Sequence, residues 1–154
     1  MNIREMLCEE CVADDIKSRT KREVLVELSE IFNKSKIEID ADLMVEVLLE
    51  REKLGSTGIG GGIAIPHGKM AGLDRLILSF GRSKSGVEFD ALDGKPVYIF
   101  FMLMAPDNSA GQHLKALAKI SKMLKDEEFR KKLMGSDSAK DIYNLIIEQD
   151  KAFL

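Results

Sequence analysis

Long hydrophobic runs are absent from this sequence. No stretch of its 154 residues approaches the roughly 20 consecutive apolar residues that cross a bilayer. The first six residues also lack the basic start and apolar stretch of a secretory signal. These absences predict a cytoplasmic protein that does not insert into membranes.

Positive charge is not in excess either. The chain has 23 Lys and Arg against 26 Asp and Glu, a net charge of −3. Nucleic-acid binders usually carry net or clustered positive charge, so nucleic acid is disfavoured as a partner. At 45% hydrophobic and 32% charged residues, without repeats or low-complexity tracts, the sequence predicts a single globular domain over 1–154.

Cysteine is scarce, and both copies fall in one C-x-x-C pattern, Cys8 and Cys11. A zinc site would need two further ligands, normally from a second such pair, and the sequence has none. The intervening Glu9 and Glu10 disfavour the thiolate that a redox pair requires. The two cysteines are therefore interpreted as structural, with no metal site.

Helical spacing of apolar residues, with caps before it, predicts four helices and a shorter fifth over 126–134. Leu43 and Leu54 are expected to face inward from the second helix and Leu114 from the third. The predicted starts are at Thr20, at Asp40 or Asp42, at Ser109 in a capping box with Gln112, and at Ser138.

The strands lie between these helices. Residues 97–104 are continuously apolar, which is typical of a central strand buried on both faces. Further strands are predicted over 76–83, 63–65 and 87–89, with a candidate edge strand over 11–16. Helices before, between and after strands indicate an α/β domain whose sheet is covered on both sides.

The unusual segment is the glycine-rich stretch 55–69. It fits neither G-x-G-x-x-G nor G-x-x-x-x-G-K-S/T, and G-x-S-x-G is absent from the chain. A dinucleotide fold, a P-loop and a hydrolase nucleophile are therefore not indicated. Glycines do let backbone N–H groups approach an anion, and Arg51 just before the segment offers a fork to two phosphate oxygens. The candidate phosphate-binding loop comprises Ser56, Thr57, Gly58, Gly60, Gly61 and Gly62.

This segment delivers one histidine, His67. Pro66 holds Ile65 extended, and Gly68 leaves the imidazole uncrowded. An imidazole with an ordinary pKa of about 6.5 is a nucleophile at neutral pH and can accept a phosphoryl group without a separate base. The hypothesis is a phosphohistidine; the alternative is an ordinary loop with a structural histidine.

The other histidine, His113, lies in the first turn of the helix that follows the long buried strand. The positive end of the helix dipole favours its neutral form, which still donates one N–H to a phosphate oxygen. Ligand sites of open α/β sheets lie at the carboxyl ends of strands, so we expect His113 to meet His67 in a shared depression. A solvated residue on a helix flank is the alternative.

Three stretches carry a family resemblance: 51–69, 86–97 and 112–114. They resemble the enzyme IIA domains of the bacterial phosphoenolpyruvate-dependent phosphotransferase system, of the fructose, mannitol and nitrogen-regulatory type. The similarity extends over nearly the whole chain, and Arg51-Glu52-Lys53 with Gly55-Ser56-Thr57 is especially close to the nitrogen-regulatory form.

The resemblance implies a mixed-sheet α/β domain flanked by helices. It implies that His67 accepts a phosphoryl group from the small carrier HPr or its nitrogen-branch relative, with His113 and Arg51 supporting the phosphate. It implies no metal and no cofactor. The site rim is expected to be largely apolar, with Met70 a candidate contact for the incoming carrier.

Two functional classes stay open beyond this. The end of the chain at Leu154, without a IIB or membrane domain, favours a stand-alone regulator that switches target proteins such as transporters or kinases. The alternative is a sugar-transport IIA of the fructose or mannitol type that passes its phosphoryl group to an enzyme IIB. A more distant alternative is an anion-binding module without enzymatic activity.

Overall fold

A computed structural model describes residues 1–153 of the chain, which form five helices and one six-stranded sheet. Two short 3₁₀ turns, Ile3–Glu5 and Glu9–Cys11, precede the first strand. The strands are β1 (Val12–Ala13), β2 (Gly58–Gly60), β3 (Ile63–Ala64), β4 (His67–Met70), β5 (Ile77–Val87) and β6 (Val97–Pro106). The helices are α1 (Lys21–Lys34), α2 (Ala41–Lys53), α3 (Ala110–Met123), α4 (Glu127–Gly135) and α5 (Ala139–Lys151).

The sheet is built around β6. On one side β6 pairs with β5 in antiparallel register, and on the other side β3 and then β4 pair with it in parallel. The strand order is β1-β5-β6-β3-β2, with β1 parallel to β5 and β2 antiparallel to β3. The sheet is therefore mixed, as the resemblance implies.

Along β6 every side chain except that of Tyr98 is buried. Adjacent residues of a strand point to opposite faces, so both faces of the sheet are covered. The prediction of a doubly covered central strand within an α/β domain is confirmed.

Most helix starts lie where the caps predict them. The side chains of four cap residues accept hydrogen bonds from first-turn amides, namely Thr20, Asp40, Asp126 and Ser138. Ser109 is the exception, because its hydroxyl donates to the Pro106 carbonyl at 2.7 Å instead of accepting from the helix. The predicted capping box at α3 is not formed.

Some sequence-based expectations are wrong. Leu43 and Leu114 are exposed because they lie on the outward faces of α2 and α3, and Leu54, the residue that follows α2, is exposed as well. Residues 87–89 form no separate strand, since Val87 ends β5 and Glu88 makes only an isolated bridge to Thr20. The glycine-rich segment was not expected to supply β2 and β4.

A buried ion pair ties the N-terminus to two helices. Lys119 Nζ of α3 lies 2.5 Å from Asp150 Oδ1 of α5 and also donates to the Met1 carbonyl. The other carboxylate oxygen, Oδ2, accepts the Ile3 N–H at 2.8 Å. These four residues are called the N-terminal lock below.

Arg82 is completely buried, and no carboxylate of residues 1–153 pairs with it. Its Nε donates to the Asp14 carbonyl at 2.9 Å, and Nη1 donates to the Leu133 carbonyl at 3.0 Å and the Ser136 carbonyl at 2.5 Å. Those last two carbonyls lie at the carboxyl end of α4, where the helix leaves its own acceptors unpaired. Arg82 therefore holds α4 against β5.

Cys8 and Cys11 are free thiols whose sulfurs lie 3.1 Å apart. Burial raises the pKa of the Cys11 thiol to about 12, which opposes thiolate chemistry and agrees with the structural interpretation. Over residues 1–153, no helix combines the length and apolarity that a membrane crossing requires.

Candidate active site

The backbone of His67 is held by the sheet, and its imidazole ring is held by a hydrogen bond. It pairs with Leu103 of β6, whose N–H donates to the Pro66 carbonyl at 2.9 Å. Its Nδ1 lies 2.8 Å from the Ile65 carbonyl oxygen. A carbonyl can only accept, so Nδ1 carries the proton and Nε2 keeps an available lone pair.

His113 lies beside it, as the sequence predicts. The two imidazole centroids are 5.5 Å apart, with the rings inclined at 68°. Both rings line one surface pocket of about 690 Å³ at the end of β6 that leads into α3. The other residues lining it are Val47, Glu50, Arg51, Leu54, Gly68, Lys69, Asp107, Ala110, Leu114 and Leu117.

Both histidines favour the neutral form. Burial is the first cause that lowers the pKa of His67, and the charge of Arg51 lowers it further. Burial, followed by the charges of His67 and Lys69, lowers the pKa of His113 to about 4. The predicted neutral His113 is confirmed, although burial rather than the helix dipole is the leading cause.

His113 should make the stability of the protein depend on pH. Because its folded pKa of about 4 lies below the ordinary value of 6.5, the unfolded chain binds the extra proton between those pH values. Stability is therefore lost as the pH falls below about 6.5. Between pH 7 and pH 5, we expect wild type to lose about 2 kcal/mol more unfolding free energy than His113→Gln. Urea titrations of both proteins at the two pH values measure this difference, and equal losses would contradict the assignment.

Arg51 lies in the last turn of α2 and lines the same pocket. Its Nη1 donates to the Gly55 carbonyl at 2.9 Å, one of the five N–H donors of a guanidinium. His113 Nε2 is buried, and no atom of residues 1–153 forms a hydrogen bond with it. The pocket thus combines the nucleophilic nitrogen of His67 with a guanidinium and a second imidazole from two other elements.

The candidate phosphate-binding loop is not brought to this pocket. Thr57 is buried and bonded to Glu52, while the Ser56 hydroxyl donates to the Phe89 carbonyl and accepts the Gly58 N–H. The positive φ angles of Gly60, Gly61 and Gly62, +97°, +68° and +80°, turn the chain from β2 into β3. Gly61 and Gly62 line a different pocket, of about 440 Å³, beside Tyr98. The glycines serve a tight hairpin there, not the surroundings of His67.

Sequence reasoning missed several residues of the pocket. Lys69 is two residues after His67 in β4, and alternation places the two side chains on one face of the strand, a signal that could have found it. Met70 points the other way and is only 5% exposed, so its expected contact with a carrier is wrong.

The rim is apolar where Leu54 and Leu114 stand, with 85% and 68% of their surfaces exposed. The carboxylates Glu50 and Asp107 also line the pocket, so the predicted apolar rim holds only in part. Among residues 1–153, no three His, Cys, Asp or Glu side chains are grouped to hold a metal ion.

The chain is similar to known proteins over nearly its whole length. The family model described as "Phosphoenolpyruvate-dependent sugar phosphotransferase system, EIIA 2" matches residues 5–149. The fructose-specific EIIABC component of the phosphotransferase system of Bacillus subtilis is 38% identical over 98% of this chain, which spans only 24% of that protein's length. The nitrogen regulatory protein of Bradyrhizobium diazoefficiens is 37% identical over 95% of both chains.

The fold has a close structural counterpart. The crystal structure of nitrogen regulatory protein IIA-Ntr from Neisseria meningitidis superposes with a TM-score of 0.86. That pair is 35% identical, and the match covers 94% of this chain and 98% of the other. The likeness therefore extends over nearly the whole fold.

Proposed function

Because the chain belongs to the EIIA type 2 family of the phosphoenolpyruvate-dependent sugar phosphotransferase system, we propose that His67 accepts a phosphoryl group from the phosphohistidine of HPr or of its nitrogen-branch relative. The observation that carries the proposal is the state of the His67 ring. Its Nδ1 proton is held by the Ile65 carbonyl, and this leaves Nε2 as the nucleophile in an open pocket.

In the transfer, the Nε2 lone pair forms a bond to phosphorus while the P–N bond of the donor breaks and the donor imidazole takes that electron pair. Both the donor and the product are phosphoramidates, so the exchange is near balance, and the protein contributes alignment and charge stabilisation. His113 and Arg51, which line the same pocket, are the proposed partners of the phosphoryl oxygens. The neutral His113 imidazole and the cationic Arg51 guanidinium are both suited to stabilise the negative charge of a phosphoryl group.

The proposed role is that of a stand-alone regulatory phospho-switch acting on target proteins such as transporters or kinases. Support comes from the nitrogen regulatory relative, of which this chain covers 95%. The second candidate is a sugar-transport IIA that passes the phosphoryl group to an enzyme IIB, supported by the 38% identity to the fructose-specific component. A cytoplasmic location is part of the proposal, and the free thiols of Cys8 and Cys11 fit a reducing compartment.

The test is incubation of the protein with phosphoenolpyruvate, enzyme I and HPr, followed by intact-mass analysis. We expect one acid-labile phosphoryl group, located on Nε2 of His67 by peptide mapping and ³¹P–¹⁵N correlation. A protein that stays unmodified while a known IIA in the same mixture becomes labelled would contradict the proposal. Purified fructose IIB, added afterwards, separates the two roles. Rapid phosphoryl transfer to IIB, together with target proteins that bind the phosphorylated and unphosphorylated forms equally, favours the sugar carrier.

A further inference from the structure

A continuous run of hydrogen bonds connects His67 in β4 to the buried carboxylate of Glu52 in α2. Glu52 Oε1 accepts the Thr57 N–H at 3.1 Å, and Oε2 accepts the Thr57 hydroxyl. The Thr57 carbonyl accepts the Ile65 N–H at 3.1 Å, and the Ile65 carbonyl accepts from His67 Nδ1 at 2.8 Å. Glu52, Thr57, Ile65 and His67 are called the support chain below.

The far end of the support chain is anchored by charge. Glu52 is only 8% exposed, and its Oε1 lies 3.1 Å from Lys21 Nζ at the start of α1. The Lys21 ammonium also lies 5.0 Å from the centre of the Phe89 ring. A carboxylate with both oxygens engaged and a cation beside it has little freedom to move, so Thr57 is held at two atoms.

At the His67 end of the support chain, the position of one carbonyl oxygen, that of Ile65, is fixed. Ile65 is buried and precedes Pro66, so its backbone is restricted to extended conformations. Its N–H is held by Thr57, while the Pro66 carbonyl is held by β6 through Leu103. The position of the Ile65 carbonyl oxygen is thereby determined from both sides, and this oxygen selects the tautomer of His67.

We propose that Glu52 is a positioning residue for phosphoryl acceptance: through Thr57 and Ile65 it holds His67 in the Nδ1–H tautomer with Nε2 directed to the incoming phosphoryl group. This inference rests on the proposed function of His67. Glu52 does not touch the phosphoryl group in it, and Arg51, its neighbour in α2, lines the pocket instead.

Glu52 also acts on His67 through its charge. Its carboxylate raises the pKa of His67, and so does the Ile65 hydrogen bond, whereas burial and the Arg51 cation lower it. The neutral His113 ring also faces His67 at close range, and Glu50, Lys69 and Asp107 are the further titratable side chains that line the pocket. Removal of the Glu52 charge is therefore expected to lower the pKa of His67 further, while the tautomer of His67 is the readout that reports on its positioning.

The experiment combines an NMR measurement on the unphosphorylated protein with a rate measurement. Imidazole ¹⁵N shifts distinguish protonated from unprotonated ring nitrogens, and His113 in the same spectrum serves as an internal reference. The variants are Glu52→Gln, Thr57→Val and Thr57→Ser, with the exposed Glu30→Gln as a control of equal charge change. Thr57→Val keeps both backbone bonds but removes the hydroxyl bond to Glu52, whereas Thr57→Ser retains it.

In wild type, Thr57→Ser and Glu30→Gln, we expect His67 in the Nδ1–H form. Glu52→Gln and Thr57→Val should show an increased share of the Nε2–H form, and Glu52→Gln also a lower His67 pKa. Because small misplacements of a nucleophile are costly, phosphoryl acceptance from HPr should be about 10-fold slower in these two variants.

The proposal is overturned if folded Thr57→Val and Glu52→Gln keep the wild-type tautomer and transfer rate. It is also overturned if wild-type His67 is in the Nε2–H form. Should Glu52→Gln fail to fold, the two Thr57 variants decide alone. A wild-type protein that accepts no phosphoryl group refutes the proposed function, whereas the tautomer measurement tests the support chain independently.

Discussion

His67→Ala is expected to carry no phosphoryl group after incubation with phosphoenolpyruvate, enzyme I and HPr. The variant lacks the imidazole whose Nδ1 proton is held by the Ile65 carbonyl and whose Nε2 is left as the nucleophile in the pocket. Intact-mass analysis at saturating enzyme I provides the measurement, and circular dichroism verifies the fold. Robust labelling of His67→Ala would show that another residue is the acceptor.

His113→Ala and Arg51→Ala keep His67, and their rates of phosphoryl transfer provide the comparison with His67→Ala. Removal of one preorganised donor to developing charge typically costs about 2.7–4 kcal/mol, or 10²–10³ in rate. His113→Ala and Arg51→Ala should therefore reach full labelling more slowly, and Arg51→Ala should fall below that range because its hydrogen bond to Gly55 is exposed to solvent. Wild-type transfer rates in both would show that neither residue supports the phosphoryl group.

The largest expected effect on stability belongs to Asp150→Ala in the N-terminal lock. The substitution leaves the buried Lys119 ammonium without its carboxylate and the Ile3 N–H without its acceptor. Removing one member of a buried ion pair typically costs about 3–5 kcal/mol. Chemical denaturation of wild type and variant at neutral pH measures the difference in unfolding free energy.

The matched control removes both charges. Lys119→Met combined with Asp150→Leu leaves no buried charge unpaired, and replacement of such a pair by apolar residues is often close to neutral. The double variant should therefore be clearly more stable than Asp150→Ala. A loss below about 1 kcal/mol in Asp150→Ala would indicate that the Lys119 ammonium finds water and that the lock contributes little.

The periodic elements of this fold could be predicted from the sequence. The apolar run of β6 and the side-chain caps at Thr20, Asp40, Asp126 and Ser138 are local signals, and the structure follows them. Pairing that depends on backbone alone has no such signal, so β2 and β4 were missed. Fully buried Arg82 was equally unpredictable, because its partners are carbonyls separated from it by about 50 residues or more.

For the site, the meeting of His67 and His113 could be predicted because both follow from where strands end. The glycine-rich sequence predicts a phosphate-binding loop because glycine leaves backbone N–H groups accessible. Glycine also tolerates positive φ, and in this structure the glycines adopt positive φ to form a turn away from His67. Thr57 illustrates the same limit, since no pattern reveals that its hydroxyl is engaged by Glu52 rather than open to a ligand.

His67 in β4 and Arg51 at the end of α2 are expected to move on different timescales. A strand paired to the middle of a sheet opens only with large-scale unfolding, whereas a side chain at a solvent-exposed helix end changes rotamer within nanoseconds. On the proposed function, the nucleophile is held by the sheet, and adaptation to an arriving phosphoryl group falls to the exposed side chains of the pocket, among them Arg51, whose guanidinium would exchange the Gly55 carbonyl for a phosphoryl oxygen. Such a site can be entered and left without the opening of a lid, and turnover would then be set by the encounter and separation of the two proteins.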